Sequence, residues 1–98
     1  MAYSLKITDE ALTDIDEITE WYFAQKPNQQ ERCYQKILNC LEEIEKHPTH
    51  YGFFAEEYRQ ATVETFPYKI AFKISDTYID VFAIFHLHRS DEAIMRLA

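Results

Sequence analysis

Along residues 3–8, apolar Tyr3, Leu5 and Ile7 alternate with polar Ser4, Lys6 and Thr8, the period of a half-buried strand. From there the period lengthens. Ala11, Ile15, Ile18 and Tyr22 recur at helical spacing, with Leu12 beside them and Asp14, Asp16, Glu17 and Glu20 on the other sides. Thr8 or Asp9 is placed to cap this helix, and the acids that follow suit its positive end. Pro27 stops it, and Asn28 and Glu31 have the spacing of a capping box for a second helix. Tyr34, Ile37, Leu38, Leu41 and Ile44 form the second apolar stripe, which His47-Pro48 ends. Two antiparallel helices joined by a short turn follow. The segment "PTHYGFFAEEY", with the only glycine, reads as a loop. Three strand-like runs complete the chain. "YRQATVETF" is the first. In "YKIAFKIS", Ile70, Phe72 and Ile74 alternate with Lys69, Ala71 and Lys73. "TYIDVFAIF" is apolar on both faces from Val81 onward, as an interior strand would be. Ser75-Asp76-Thr77 makes the turn between the last two. The predicted order is β-α-α-β-β-β, an α+β domain.

The chain has 98 residues, enough for a single domain spanning 1–98, and at 47% hydrophobic it can build one core. No apolar run reaches the roughly 18 residues of a membrane helix. The first ten residues, "MAYSLKITDE", lack the order of a signal peptide, so a cytoplasmic protein with no membrane partner is expected. Cys33 and Cys40 lie about 10.5 Å apart along the second helix axis, which excludes a disulfide between them. They read as small buried residues. The net charge is −7, and the excess acid lies in residues 1–57, which carry 5 Lys/Arg against 12 Asp/Glu. A broad acidic face opposes nucleic-acid binding, which rests on cationic contacts, though it leaves room for a small basic site.

The candidate chemistry gathers at "IFHLHRSD", residues 84–91. His86 and His88 share a face if the strand continues, and Arg89 points the other way. His as general acid or base, with Arg stabilising an anion, is one reading. Polar residues at a strand exit are the other. His-x-His, with His47 and His50 elsewhere, supplies too few defined ligands for zinc, and no metal or cofactor is expected. Lys69 and Lys73 share a strand face and, with Arg59, could form a cationic patch near His86 and Arg89; the alternative is that they only solvate that face. Trp21, Tyr22 and Phe23 either pack in the core or offer an aromatic to a partner. The chain has no Gly-rich phosphate loop and no serine-nucleophile motif.

Taken in order, "ALTDIDEITEWY", "ILNCLEEIEKHP", "YRQATVETFPYKIAFKI" and "IDVFAIFHLHR" resemble the RelE/ParE superfamily of bacterial type II toxins. The resemblance covers nearly the whole chain. It implies a helical hairpin packed on a mainly antiparallel, twisted sheet, and a plasmid-stabilisation or stress-response toxin neutralised by a cognate antitoxin. ParE-like members inhibit DNA gyrase. RelE-like members cut mRNA on the ribosome. By position, Lys69 stands where RelE-like nucleases carry a strand arginine, and His86 and Arg89 fall at the family's His-x-x-Arg. His88 replaces a common arginine, no tyrosine follows Arg89, and the chain is acidic where such nucleases are basic. The Phe66-Pro67-Tyr68 pattern and the acidity favour a ParE-like gyrase inhibitor. The alternatives are a ribosome-dependent endonuclease using His86, Arg89, Lys69 and Arg59, and a binding module of this fold without toxicity. A homodimer and a toxin–antitoxin hetero-oligomer both remain open at this point.

Overall fold

The computed structural model describes residues 3–88. Arg89, and with it the second half of the His-x-x-Arg exit, lies outside the described residues. The elements run β1 (Ser4–Ile7), α1 (Asp9–Gln25), α2 (Gln30–Lys46), β2 (Phe53–Ala55), β3 (Tyr58–Thr62), β4 (Tyr68–Ser75) and β5 (Tyr78–His86). The strands form one sheet in the order β1-β5-β4-β3-β2. β1 runs parallel to β5, and the other neighbours are antiparallel.

The predicted order is observed, with one addition. Residues 53–55, expected in a loop, pair with β3 as a short edge strand. The hairpin turns through Glu56 at φ 38°, and the Arg59 guanidinium lies 3.9 Å over the Phe53 ring. A three-residue strand with no alternation to read leaves little trace in a sequence pattern.

Thr8 caps α1, its side-chain oxygen accepting from the Ala11 amide at 3.2 Å. The buried stripe of α1 is Ala11, Ile15, Ile18 and Tyr22, as its spacing predicts, while Leu12 is left exposed. The start of α2 differs from expectation. Asn28 and Glu31 form no capping box. Pro27–Gln29 makes a 3-10 turn instead, and no side chain caps the helix. Pro27 presets the tight turn by fixing φ, and the Gln30 side chain ties the hairpin by donating to the Thr19 carbonyl at 3.1 Å. The stripe of α2 is Cys33, Ile37, Leu41 and Ile44. Cys33 takes the core position expected of Tyr34, which sits one residue further round the helix and is exposed.

The hairpin lies on one face of the sheet. Ile70, Phe72, Ile79, Val81 and Ile84 meet it there in the main core. Ala71, Phe82, Ala83 and Phe85 form a separate cluster with Phe54 and Tyr58 on the opposite face. A bulge divides the two sets. Ala71 pairs with Ala83 and Phe72 with Val81, so Phe82 is the extra residue. Beyond it, the parity of β5 is reversed.

Candidate functional site: an aromatic cleft at the exit of the last strand

The bulge decides where the end of β5 points. By strict alternation, Ile79 and Val81 facing the helices would put His86 on the far face. With Phe82 inserted, His86 returns to the helix side, in register with Tyr68 at the start of β4. The two rings meet edge to face with centroids 5.8 Å apart. The C-terminal turn of α1 closes one wall with Trp21 and Tyr22. The β3–β4 connection closes another with Thr65, Phe66 and Pro67. The result is a cleft of about 520 Å³, with Lys26 and Gln29 at its rim.

The connection is shaped for this. Thr65 takes the left-handed region at φ 75°, and Phe66 turns inward to be 6% exposed. Phe66 packs edge to face on Tyr22 at 5.6 Å, and Tyr22 packs on Trp21 at 4.9 Å. The Tyr22 and Tyr68 hydroxyls are paired. Burial, with the Tyr22 phenol beside it, pushes Tyr68 up to about 12. Burial raises Tyr22 as well, with Cys33 adding to the rise. Both phenols are therefore neutral in the physiological range. They offer π faces and hydroxyls, not a base.

A second hollow of about 230 Å³ shares Trp21, Tyr68 and His86 with the cleft and continues it along α1 past Asp14 and Glu17. There the Ile84 amide, on the stretch of β5 beyond its pairing with β1, donates to the Asp14 carboxylate at 3.0 Å. The backbone amide of His88 donates to Nδ1 of His86 at 3.2 Å, which leaves Nε2 as the proton-bearing nitrogen of the neutral ring.

The structure does not assemble the cationic constellation read from the sequence. Lys69 pairs in register with Phe85, one step from the Tyr68–His86 pair, and so lies on the opposite face of the sheet. Lys73 is on Lys69's face and is held by Glu57 at 3.2 Å. Arg59 lies further along the sheet, opposite Phe72. Its guanidinium donates to the carbonyls of Tyr51 at 2.6 Å and Thr49 at 3.5 Å. Of His86, Lys69 and Arg59, no two are brought together. Alternation separates the first two, and local hydrogen bonds occupy the third.

His47 and His50 stack in parallel at 4.9 Å beside the Arg59 carbonyl cluster, while His86 and His88 lie 5.0 Å apart. Among the described residues no group of three His, Cys, Asp or Glu is placed to hold a metal ion. Cys33 is buried, Cys40 half-buried, and both are free. Burial pushes each thiol up to about 11, so neither is a thiolate nucleophile near neutral pH. No helix among the described residues is long and apolar enough to cross a membrane.

Trp21-Tyr22-Phe23 and Phe66-Pro67-Tyr68 are separate motifs in the sequence. Trp21, Tyr22, Phe66, Pro67 and Tyr68 line one cleft with His86, while Phe23 is exposed outside it. The signal was present in the helical parity that points Tyr22 inward, but it needed the register of β4 to be useful.

A helical hairpin on one face of a mixed five-stranded sheet is the α+β architecture that the RelE/ParE resemblance implies. The sequence model for the ParE toxin of type II toxin–antitoxin system, parDE, matches residues 5–91, and the chain belongs to that family. Solved structures share the fold. The chromosomal ParDE system of P. aeruginosa matches with a TM-score of 0.78 at 21% identity, over 87% of this chain and 96% of that one. A mutant of the E. coli toxin RelE in the free state matches with a TM-score of 0.71 at 15% identity, over 100% of both chains. The RelBE2 toxin–antitoxin complex of Mycobacterium tuberculosis matches with a TM-score of 0.65 at 14% identity, over 88% of this chain and 99% of that one. No curated protein matches the chain in sequence.

Proposed function

We propose that this protein is the toxin of a type II pair, held inactive by a cognate antitoxin, and that it acts in the ParE manner by binding DNA gyrase. The observation that carries the choice over mRNA cleavage is the separation of Lys69 from His86 across the sheet. Phosphoryl-transfer catalysis by side chains depends on cations and a proton-transfer group converging on one phosphate. Among the described residues the one cation lining the cleft of His86 is Lys26, while Lys69 lies on the far face and Arg59 is committed to two backbone carbonyls. A protein-binding inhibitor has no such requirement, and an acidic surface does not hinder it. Family membership and the likeness to toxin–antitoxin assemblies support the antitoxin partner.

The test is induction of the toxin without its antitoxin. Purified toxin is expected to block gyrase supercoiling, and induced cells are expected to show gyrase-dependent DNA breaks with intact mRNA. Codon-phased mRNA cleavage with normal supercoiling would instead establish the nuclease, using His86 and the strand-exit Arg89.

A further inference from the structure

We infer that the aromatic cleft bounded by Trp21, Tyr68 and His86 is the grip on the target: it takes one aromatic or large apolar side chain of an extended gyrase segment, with a basic neighbour lying over Glu17. The inference rests on the gyrase reading above and adds the site and the chemistry it recognises. Three observations carry it.

The first is size and lining. A cleft of about 520 Å³ is within the range that encloses a side-chain-sized ligand, and Trp21, Tyr22, Phe66, Tyr68 and His86 give it π faces on several sides. Aromatic anchors seated in such pockets dominate protein–protein affinity. The second is Trp21 itself. Among the described residues it is 49% exposed although its neighbour Tyr22 is buried, and the indole stands at the junction of the two hollows. The third is charge. Glu17 is one helical turn before Trp21, lines the adjoining hollow and is exposed. It stands in the half of the chain that holds the acidic excess, so a lysine or arginine flanking the anchor is the complementary neighbour.

The same charges say which part of a gyrase–DNA complex is held. Among the described residues the cleft presents a single lysine, Lys26, against a protein of net charge −7. Binding to a DNA backbone needs several phosphate-neutralising cations and weakens steeply with salt. The grip is therefore on the gyrase polypeptide and needs no DNA.

The experiment uses full-length toxin, purified gyrase, and binding measured with and without DNA beside supercoiling inhibition. Trp21→Ala is expected to weaken gyrase binding and inhibition by about 30-fold, the loss typical of truncating a central aromatic anchor. Trp21→Phe should recover much of it. Glu17→Lys is expected to weaken binding several-fold, and Glu45→Lys, a like change on α2 away from the cleft, to leave it unchanged. Circular dichroism on each variant establishes that the fold is intact. If folded Trp21→Ala inhibits as wild type does, the cleft is not the grip, and the gyrase reading stands without it. If that variant loses only the antitoxin, the occupant is the antitoxin and the inference is overturned. Binding that requires DNA and falls steeply with salt overturns it too. If wild-type toxin leaves gyrase untouched, the gyrase reading itself fails, a result distinct from all of these.

Discussion

Arg59 shows how a residue with the right chemistry can be engaged elsewhere. It holds the segment between α2 and β3 by two hydrogen bonds to carbonyls and by stacking on Phe53. Hydrogen bonds from a charged donor are worth about 1.5–3 kcal/mol when part-buried. Arg59→Ala should therefore lower unfolding free energy by roughly 2 kcal/mol in urea titration. Toxicity per folded molecule should be unchanged. The residue was visible in the sequence as a cation near a strand, and nothing in its spacing revealed the carbonyls that claim it. The buried titratable groups give a second prediction. Cys33 and Tyr68 are raised by burial, to about 11 and about 12 respectively. In each case the folded state keeps its proton at a pH where the unfolded chain releases it. Their contribution to stability is whole below the unfolded values, near 9 and 10, and is lost as pH rises through the folded ones. Unfolding free energy measured at intervals from pH 8 to pH 12 should fall with increasing pH. Cys33→Ala should flatten the fall between about 9 and 11, whatever it does to stability at pH 7.

At the scale of elements, local chemistry was legible where one residue decides the outcome. Thr8 before an acidic first turn specifies the start of α1, and the cap is there. Thr8→Ala should cost about 1 kcal/mol and Thr8→Ser much less, read from urea midpoints with the slope unchanged. The start of α2 departs from the capping-box spacing because Pro27 and the Gln30 tether outweigh it, and the tether depends on α1 lying alongside. The strand faces were read correctly in β4, where alternation is unbroken. In β5 they were not legible past Val81. A run apolar on both sides hides a bulge, because Phe82 and Ala83 both look like core residues wherever they point. That single extra residue carries His86 to the helix side and leaves Lys69 behind. It is why a patch that looked continuous in one dimension is split in three.

For the whole molecule, the sheet acts as a partition. One face holds the hairpin, the main core and the aromatic cleft, and the other holds the Phe82 cluster with Lys69 and Lys73. The core on the first face includes residues from Ala11 to Ile84, and Phe72 is its largest fully buried side chain. Truncating such a residue costs about 3–5 kcal/mol, a large share of what a domain of this size has. Phe72→Ala should therefore abolish toxicity through loss of folded protein, seen as a depleted soluble fraction. The lysine face is the informative contrast. Lys69→Ala with Lys73→Ala removes the two strand cations without touching the core, although Lys73 releases its partner Glu57. Surface changes of this kind alter stability little. If the toxin works by gripping a protein through the other face, growth arrest at matched expression should be unchanged in the double variant. A nuclease whose transition state leans on Lys69 should lose its toxicity by orders of magnitude, as enzymes do when a charge stabilising the transition state is removed. Growth curves with immunoblotted toxin levels therefore separate gyrase binding from a nuclease that depends on Lys69, because the partition has already separated their residues.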